Sequence, residues 1–347
     1  MRISKRKFLA SSSSIFLSSK IKARTNYQRK YDVIIIGAGL SGLNAAIILE
    51  NQGLNVLLLE GSSRVGGRVY TGDNIDGKPE LGASQVGPFY GRVRDIAHKL
   101  NVKLLPGSNM SSPYAFFIDT DLIKKNEWLN HRINNTNKSE KNILPSVLLD
   151  YYFSKYNKLQ GGDDWLKSNA QQYDIPLGLW LQKNGASQEA LNLINQGPID
   201  ADIWNVSALH LLHNDARGRL WFSSKNSSRI LDRFQKRSPT SDRIEGGSSR
   251  LPEAMAENLK SEILFNQIVT KIEMIQQSVE IKCLNGNVFK SRFVISSIPF
   301  TTLSSISINP PTLSLQSEAI RLMPYRANSQ VHLRFTGENY WDIDGYD

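Results

Sequence analysis

Cysteine is almost missing from this sequence: Cys283 is the only one in 347 residues. That excludes an intrachain disulfide and any cysteine-based metal cluster. Histidine is scarce as well, with five residues. His210 and His213 stand three apart in "SALHLLHND" and suit one helix face. A zinc site needs three or four converging ligands, and no third lies nearby, so no metal is expected. No Ser-His-Asp or Cys-His grouping offers a nucleophile with its base. Internal repeats and long low-complexity tracts are absent, and the apolar stretch near the N-terminus is too short to cross a bilayer. The length suits two domains at about 150 residues each.

Acidic residues are missing from one place in particular. The formal charge is +10, yet Met1 to Lys30 holds nine lysines and arginines and no Asp or Glu, which leaves the rest near neutrality. A nucleic-acid-binding surface is therefore not called for. Within this basic leader (1–30), Ser4-Lys5-Arg6-Lys7-Phe8-Leu9 opens a mildly apolar stretch, Phe8 to Leu17. It resembles a twin-arginine export signal with Lys5 in place of the first arginine, which implies export to the periplasm. The alternative is a plain basic tail on a cytoplasmic protein.

The remaining chain changes pattern in an orderly way. Residues 31–88 read as a glycine-rich βαβ unit. From 89 to 242 apolar residues recur every three or four, in "GRVRDIAHKL", "LPSVLLDYYFSKYNKL", "IPLGLWLQKN", "QEALNLINQG" and "NVSALHLLHND", the period of helices. Strands return from 243 to 299, where "SVEIKCLNGNVFKSRFVISSIP" alternates, turns at Asn285-Gly286 and resumes, a strong hairpin pattern. The two patterns interleave, so each domain is assembled from separate pieces: 31–88 with 243–299, and 89–242 with 300–347.

"YDVIIIGAGLSGLNAAIILENQG" sets Gly37, Gly39 and Gly42 in a G-x-G-x-x-G pattern directly after an apolar strand. Gly37 makes the tight turn, Gly39 lets the backbone approach a pyrophosphate, and Gly42 lets the helix pack close on the strand. The helix start at Leu40 and Ser41 offers its free N–H groups and positive dipole end to the phosphates. Glu60 ends the next strand, "VLLLE", 18 positions beyond Gly42. That is close to the spacing of about 20 at which an acid accepts hydrogen bonds from an adenosine ribose. To this point NAD and FAD fit equally well.

The next turn, "EGSSRVGGRVYTG", adds Gly66 and Gly67 and a donor in Arg68. Here the chain resembles the flavin-dependent amine oxidase family, whose second glycine motif reads E-A-x-x-R-x-G-G-R. Glu60, Arg64, Gly66, Gly67 and Arg68 match it, with Gly61 in place of the alanine and Ser62 where an arginine is often found. "ELGASQVGP" resembles the family segment beside the isoalloxazine, which makes Gly82, Ala83, Ser84 and Gln85 flavin contacts. "RIEGGSSRLPEAMAENL" resembles a further Gly-Gly segment, and "ILFNQIVTKIE" the strand whose valine, here Val269, meets the adenine through its backbone. The resemblance implies FAD as cofactor and an α/β fold: a Rossmann-like, glutathione-reductase-like FAD-binding domain with an interleaved α+β substrate domain.

The same resemblance implies a chemistry. An amine or amino acid is oxidised at its C–N bond to an imine, and dioxygen reoxidises the flavin to give hydrogen peroxide. Two departures stand against it. Matching "LMPYRANSQVHLRF" to the family's catalytic strand puts Gln330 where a lysine is expected, and family members continue for roughly a hundred residues, a domain-sized piece, past the position of Asp347. A homodimer or a complementing C-terminal polypeptide are the macromolecular partners left open. So are two other readings: a non-catalytic FAD-binding remnant or part of a split protein, and a related flavin desaturase or porphyrinogen oxidase.

Overall fold

The computed structural model describes residues 31–87, 90–107, 115–161, 163–197, 202–223, 241–323, 325 and 329–334. The basic leader lies outside these. In chain order the strands are β1 (Tyr31–Ile36), β2 (Val56–Leu59), β3 (Leu104–Pro106), β4 (Phe116–Ile118), β5 (Asp121–Ile123), β6 (Asp242–Ile244), β7 (Glu262–Leu264), β8 (Val269–Ile275), β9 (Ser278–Cys283), β10 (Val288–Ser296) and β11 (Ser307–Asn309). Two compact units divide them. The first takes the described residues up to Val69 and Pro252–Met323; the second takes Tyr70–Leu251 and the described residues from Pro324 onward.

These divisions differ from the ones expected near 88, 243 and 300. Residues 70–87 and 243–251 join the second unit because they bond to each other: Thr71 and Ser249 exchange two hydrogen bonds, and Val86 forms a bridge with Asp242. Residues 300–323 join the first because β11 adds to β8 as a parallel strand.

In the first unit seven strands run in the order β11-β8-β9-β10-β1-β2-β7. β10, β1, β2 and β7 are mutually parallel, while β8, β9 and β10 form an antiparallel meander. A parallel strand covered on both faces reads as an unbroken apolar run, and the Val33 to Ile36 segment of β1 is fully buried. The crossover helix Leu40–Asn51 lays Gly42, Leu43 and Ala46 inward. It stops at Gly53, whose φ of +79° takes the left-handed conformation that ends helices. The β9–β10 hairpin turns at Asn285-Gly286 as the sequence implies: Gly286 has φ +87°, and the Cys283 N–H donates to Asn287 O at 2.9 Å. Ile34, Ile36, Leu57, Leu59, Ile281 and Phe289 centre the core. The unit is a Rossmann-like α/β fold.

In the second unit the helices Gly91–Lys99, Leu148–Tyr156, Leu177–Lys183, Gln188–Gln196 and Ala208–Ser223 each begin within one of the five periodic segments. Leu148, Tyr152, Leu177, Ile194 and Leu212 of the last four share a core with Trp128. Two short antiparallel pairs, β3–β6 and β4–β5, accompany them. Of the stretch matched around Gln330, residues 329–334 are described and lie outside any strand, with Val331 and Leu333 exposed. No described strand runs beside them to receive their backbone hydrogen bonds.

Candidate cofactor-binding site

Two glycine turns of the first unit meet at the end of β1. Gly37 has φ +101°, a region that favours glycine, and its N–H donates to Leu59 O at 2.8 Å. An added Cβ on Gly42 would stand 2.0 Å from Gly37 O and 2.7 Å from Ser297 Oγ; only glycine lets the helix start this near the turn. Gly39 caps that helix with no side-chain hydrogen bond, so the first helical N–H groups are not covered by a capping side chain. Gly66 and Gly67 also have positive φ, +101° and +57°. The Gly66 N–H donates to Ala38 O at 2.9 Å and forms a parallel bridge between Gly39 and Gly66. The second turn is thus hydrogen-bonded directly to the first.

Glu60 fastens the same corner. Its Oε2 accepts from the Ala38 N–H at 2.7 Å, and its Oε1 accepts from the Ser62 N–H at 2.9 Å and from Ser62 Oγ at 2.8 Å. A cavity of about 670 Å³ opens beside these groups, entirely within the first unit. Of the residues singled out from the sequence, Gly37, Gly39, Leu40, Ser41, Glu60 and Gly61 line it, as do Gly66, Gly67, Arg68 and Val269. Gly42 lies behind, packed on Gly37. Gly61 has room for the family's alanine, since an added Cβ would meet Ile268 Cγ1 at an ordinary 3.7 Å.

Arg64 holds the second turn together. Its guanidinium donates to the carbonyls of Val65 at 3.0 Å, Val69 at 3.2 Å and Gly67 at 2.8 Å, which staples the second turn closed. Arg68 is exposed at the cavity edge and, among the described residues, has neither an ion-pair nor a hydrogen-bond partner. Ser297, Ile298, Pro299 and Thr302 also line the cavity. From sequence, residues up to 299 read only as part of the strand-rich stretch 243–299; the position of this segment directly after β10, which pairs with β1, is what brings it to the cavity.

Gly82, Ala83, Ser84 and Gln85 belong to the second unit, where the last three are exposed. Both stems of this loop are anchored by buried groups. On one side Glu80 accepts from Thr71 Oγ1 at 2.9 Å and from the Ser248 N–H at 2.7 Å. On the other, buried Arg94 donates to Gly87 O at 2.9 Å, Val86 O at 3.0 Å and Asp242 Oδ2 at 2.7 Å. Gly247, at φ +106°, is held against Thr71, where a Cβ would approach to 2.5 Å. Gln330 is exposed and remote in sequence from every other element named here. Among the described residues no group of three His, Cys, Asp or Glu converges as a metal site, and no helix is long and apolar enough to cross a membrane.

The cradle fits the adenylate and pyrophosphate of a dinucleotide: two turns without side chains, an uncapped helix start, a guanidinium at the rim and a carboxylate with acceptor capacity. Comparison with known proteins names the cofactor. Residues 40–345 match the model of the flavin-containing amine oxidoreductase family. A flavin-containing amine oxidase of Danio rerio is 26% identical over 331 residues, covering 91% of this chain and 59% of that protein. Amine oxidase B of Homo sapiens is 26% identical over 315 residues, covering 85% and 55%. Among solved structures, putrescine oxidase bound to putrescine superposes with a TM-score of 0.64 at 23% identity, covering 84% of this chain and 63% of that one. Cyclohexylamine oxidase from Brevibacterium oxydans gives 0.63 at 19%, with the same coverage. The chain spans less than two thirds of the length of these relatives, and it belongs to the family of flavin-containing amine oxidoreductases, whose cofactor is FAD.

Proposed function

We propose that this protein is an FAD-dependent oxidoreductase that oxidises the C–N bond of an amine or amino acid to an imine, with dioxygen as electron acceptor. The observation that carries the reading is the direct hydrogen bond between the two glycine turns, Gly66 N–H to Ala38 O, beside a cavity that Gly66 and Glu60 both line. A nicotinamide-binding unit needs only the first turn.

FAD, when bound, supplies the two-electron acceptor for the substrate. This chain's residues do the holding. The backbone of Gly37 to Ser41 and of Gly66-Gly67 faces the pyrophosphate, and the Leu40–Asn51 helix directs its positive end there. Arg68 adds an exposed charge of the right sign at the rim. Glu60 takes hydroxyl donors of the adenosine ribose and, being anionic, disfavours a 2′-phosphate. In the second unit the exposed Ala83–Gln85 backbone is the segment that the family resemblance assigns to the ring system.

Purified full-length protein should take up FAD, show flavin absorbance, bleach under anaerobic conditions with one member of an amine panel that includes putrescine and cyclohexylamine, and release peroxide in air. Failure to take up FAD overturns the proposal. A second reading, tight FAD binding without turnover, is favoured by Gln330, which is exposed and outside any strand; stable colour that no amine bleaches would select it. A second copy or a complementing polypeptide belongs to the same proposal as partner, as does export through the twin-arginine-like leader.

A further inference from the structure

The strongest feature left unexplained is Ser62, which stands where the resembling family motif often carries arginine. The inference rests on the reading of Glu60 as the acid that accepts the ribose hydroxyls. An ionised carboxylate offers about four acceptor positions. The Ala38 N–H takes one on Oε2 and the Ser62 N–H takes one on Oε1. Those two donors, one on each oxygen, already fix the plane of the carboxylate. The Ser62 hydroxyl is not needed for orientation; it occupies the second position on Oε1, at 2.8 Å. A ribose with both hydroxyls free needs one open position on each oxygen.

Ser62 Oγ also lies 2.8 Å from Arg64 O, and the Arg64 N–H reaches Oγ at 3.3 Å. One hydroxyl proton therefore has two acceptors at equal distance while its oxygen stays in place. We propose that Ser62 is a positioning residue whose hydroxyl holds the second Oε1 position of Glu60 until a nucleotide bearing a free 2′,3′-diol claims it, and then turns to the Arg64 carbonyl. Only a rotation about Cβ–Oγ is required. The swap exchanges a charge-assisted hydrogen bond for a neutral one, so the hydroxyl competes with the ribose and lowers affinity for diol-bearing nucleotides.

Calorimetric titration of the full chain with ADP and with 2′,3′-dideoxy-ADP tests this, using wild type and Ser62→Ala. Ser62 is exposed, so the variant should fold. The variant should bind ADP about threefold tighter, the scale of a modest net hydrogen-bond difference, with dideoxy-ADP unchanged. Equal or weaker ADP binding in the variant, or an equal shift for both ligands, overturns the proposal. Wild type without any preference for ADP over dideoxy-ADP overturns the reading of Glu60 itself, and the proposal with it.

Discussion

Replacing Gly42 with alanine isolates the contact on which the cofactor cradle depends. The new Cβ would lie 2.0 Å from Gly37 O, against about 3.3 Å for a tolerable carbon–oxygen contact. The helix start must therefore retreat by about 1.3 Å, because the opposing atom is backbone in a turn that cannot give way. Overpacking of this kind costs about 1–3 kcal/mol, and the clash with a carbonyl puts the case at the upper end. Alanine's better helix propensity returns about 1 kcal/mol. A net loss of about 2 kcal/mol corresponds to a melting temperature lower by about 3 °C for a chain of this length, at an unfolding entropy of about 2.1 cal/mol/K per residue. The same retreat moves the helical N–H groups out of reach of a phosphate. One lost charge-assisted hydrogen bond, about 1.5–3 kcal/mol, lowers FAD affinity at least about tenfold. Thermal melting and flavin fluorescence quenching read the two effects, and Gly61→Ala is the control, since its Cβ meets Ile268 at 3.7 Å and should change neither. A Gly42→Ala protein that melts and binds like wild type, or a control that fails equally, refutes the reasoning.

Two further outcomes concern the second unit. Glu140 is fully buried and accepts from Ser187 Oγ at 2.6 Å, from the N–H groups of Ser187 and Asn137 at 3.0 Å each, and from the Tyr152 hydroxyl; Glu140→Ala strands these donors and should cost about 3 kcal/mol or more in urea unfolding, with Glu140→Gln intermediate. His213 packs its ring 5.6 Å from that of Trp165, and its Nδ1 is buried without a hydrogen-bond partner among the described residues. Burial, then the charges of Arg217 and His210, lower its pKa below the usual 6.5, so the unfolded chain takes up this proton first as pH falls. Stability should be complete above pH 6.5 and decline below it, and melting temperatures of His213→Gln between pH 7 and 5 should show a flatter dependence.

What the sequence made legible were features set by neighbours along the chain. A positive φ at Gly37 or Gly286 is a property of one residue and its turn, so G-x-G-x-x-G and Asn-Gly could be read directly. Helical periodicity located five helices of the second unit for the same reason. The β4–β5 hairpin went unread because its turn residue, Asp119 at φ +56°, lacks glycine, and its strands are three residues each. Arg94 and Asp242 are 148 positions apart, and nothing near either one marks it as half of a buried pair. Their partnership exists only once β6 is laid beside Val86.

Arg64 and Ser62 show a subtler limit. From sequence, a cation next to a glycine turn reads as a phosphate ligand and a serine in place of arginine reads as a loss. In the folded turn, the carbonyls of Val65, Gly67 and Val69 converge on one guanidinium, because two residues at positive φ reverse the backbone and aim its oxygens inward. An arginine surrounded by acceptors of its own turn helps to make the turn. Ser62 is placed by the bend just before it: Arg64 O, two residues on, lies within 2.8 Å of the hydroxyl that also reaches Glu60. The backbone from Glu60 to Arg64 therefore decides which acceptor positions of Glu60 are already taken, a quantity no residue spacing encodes.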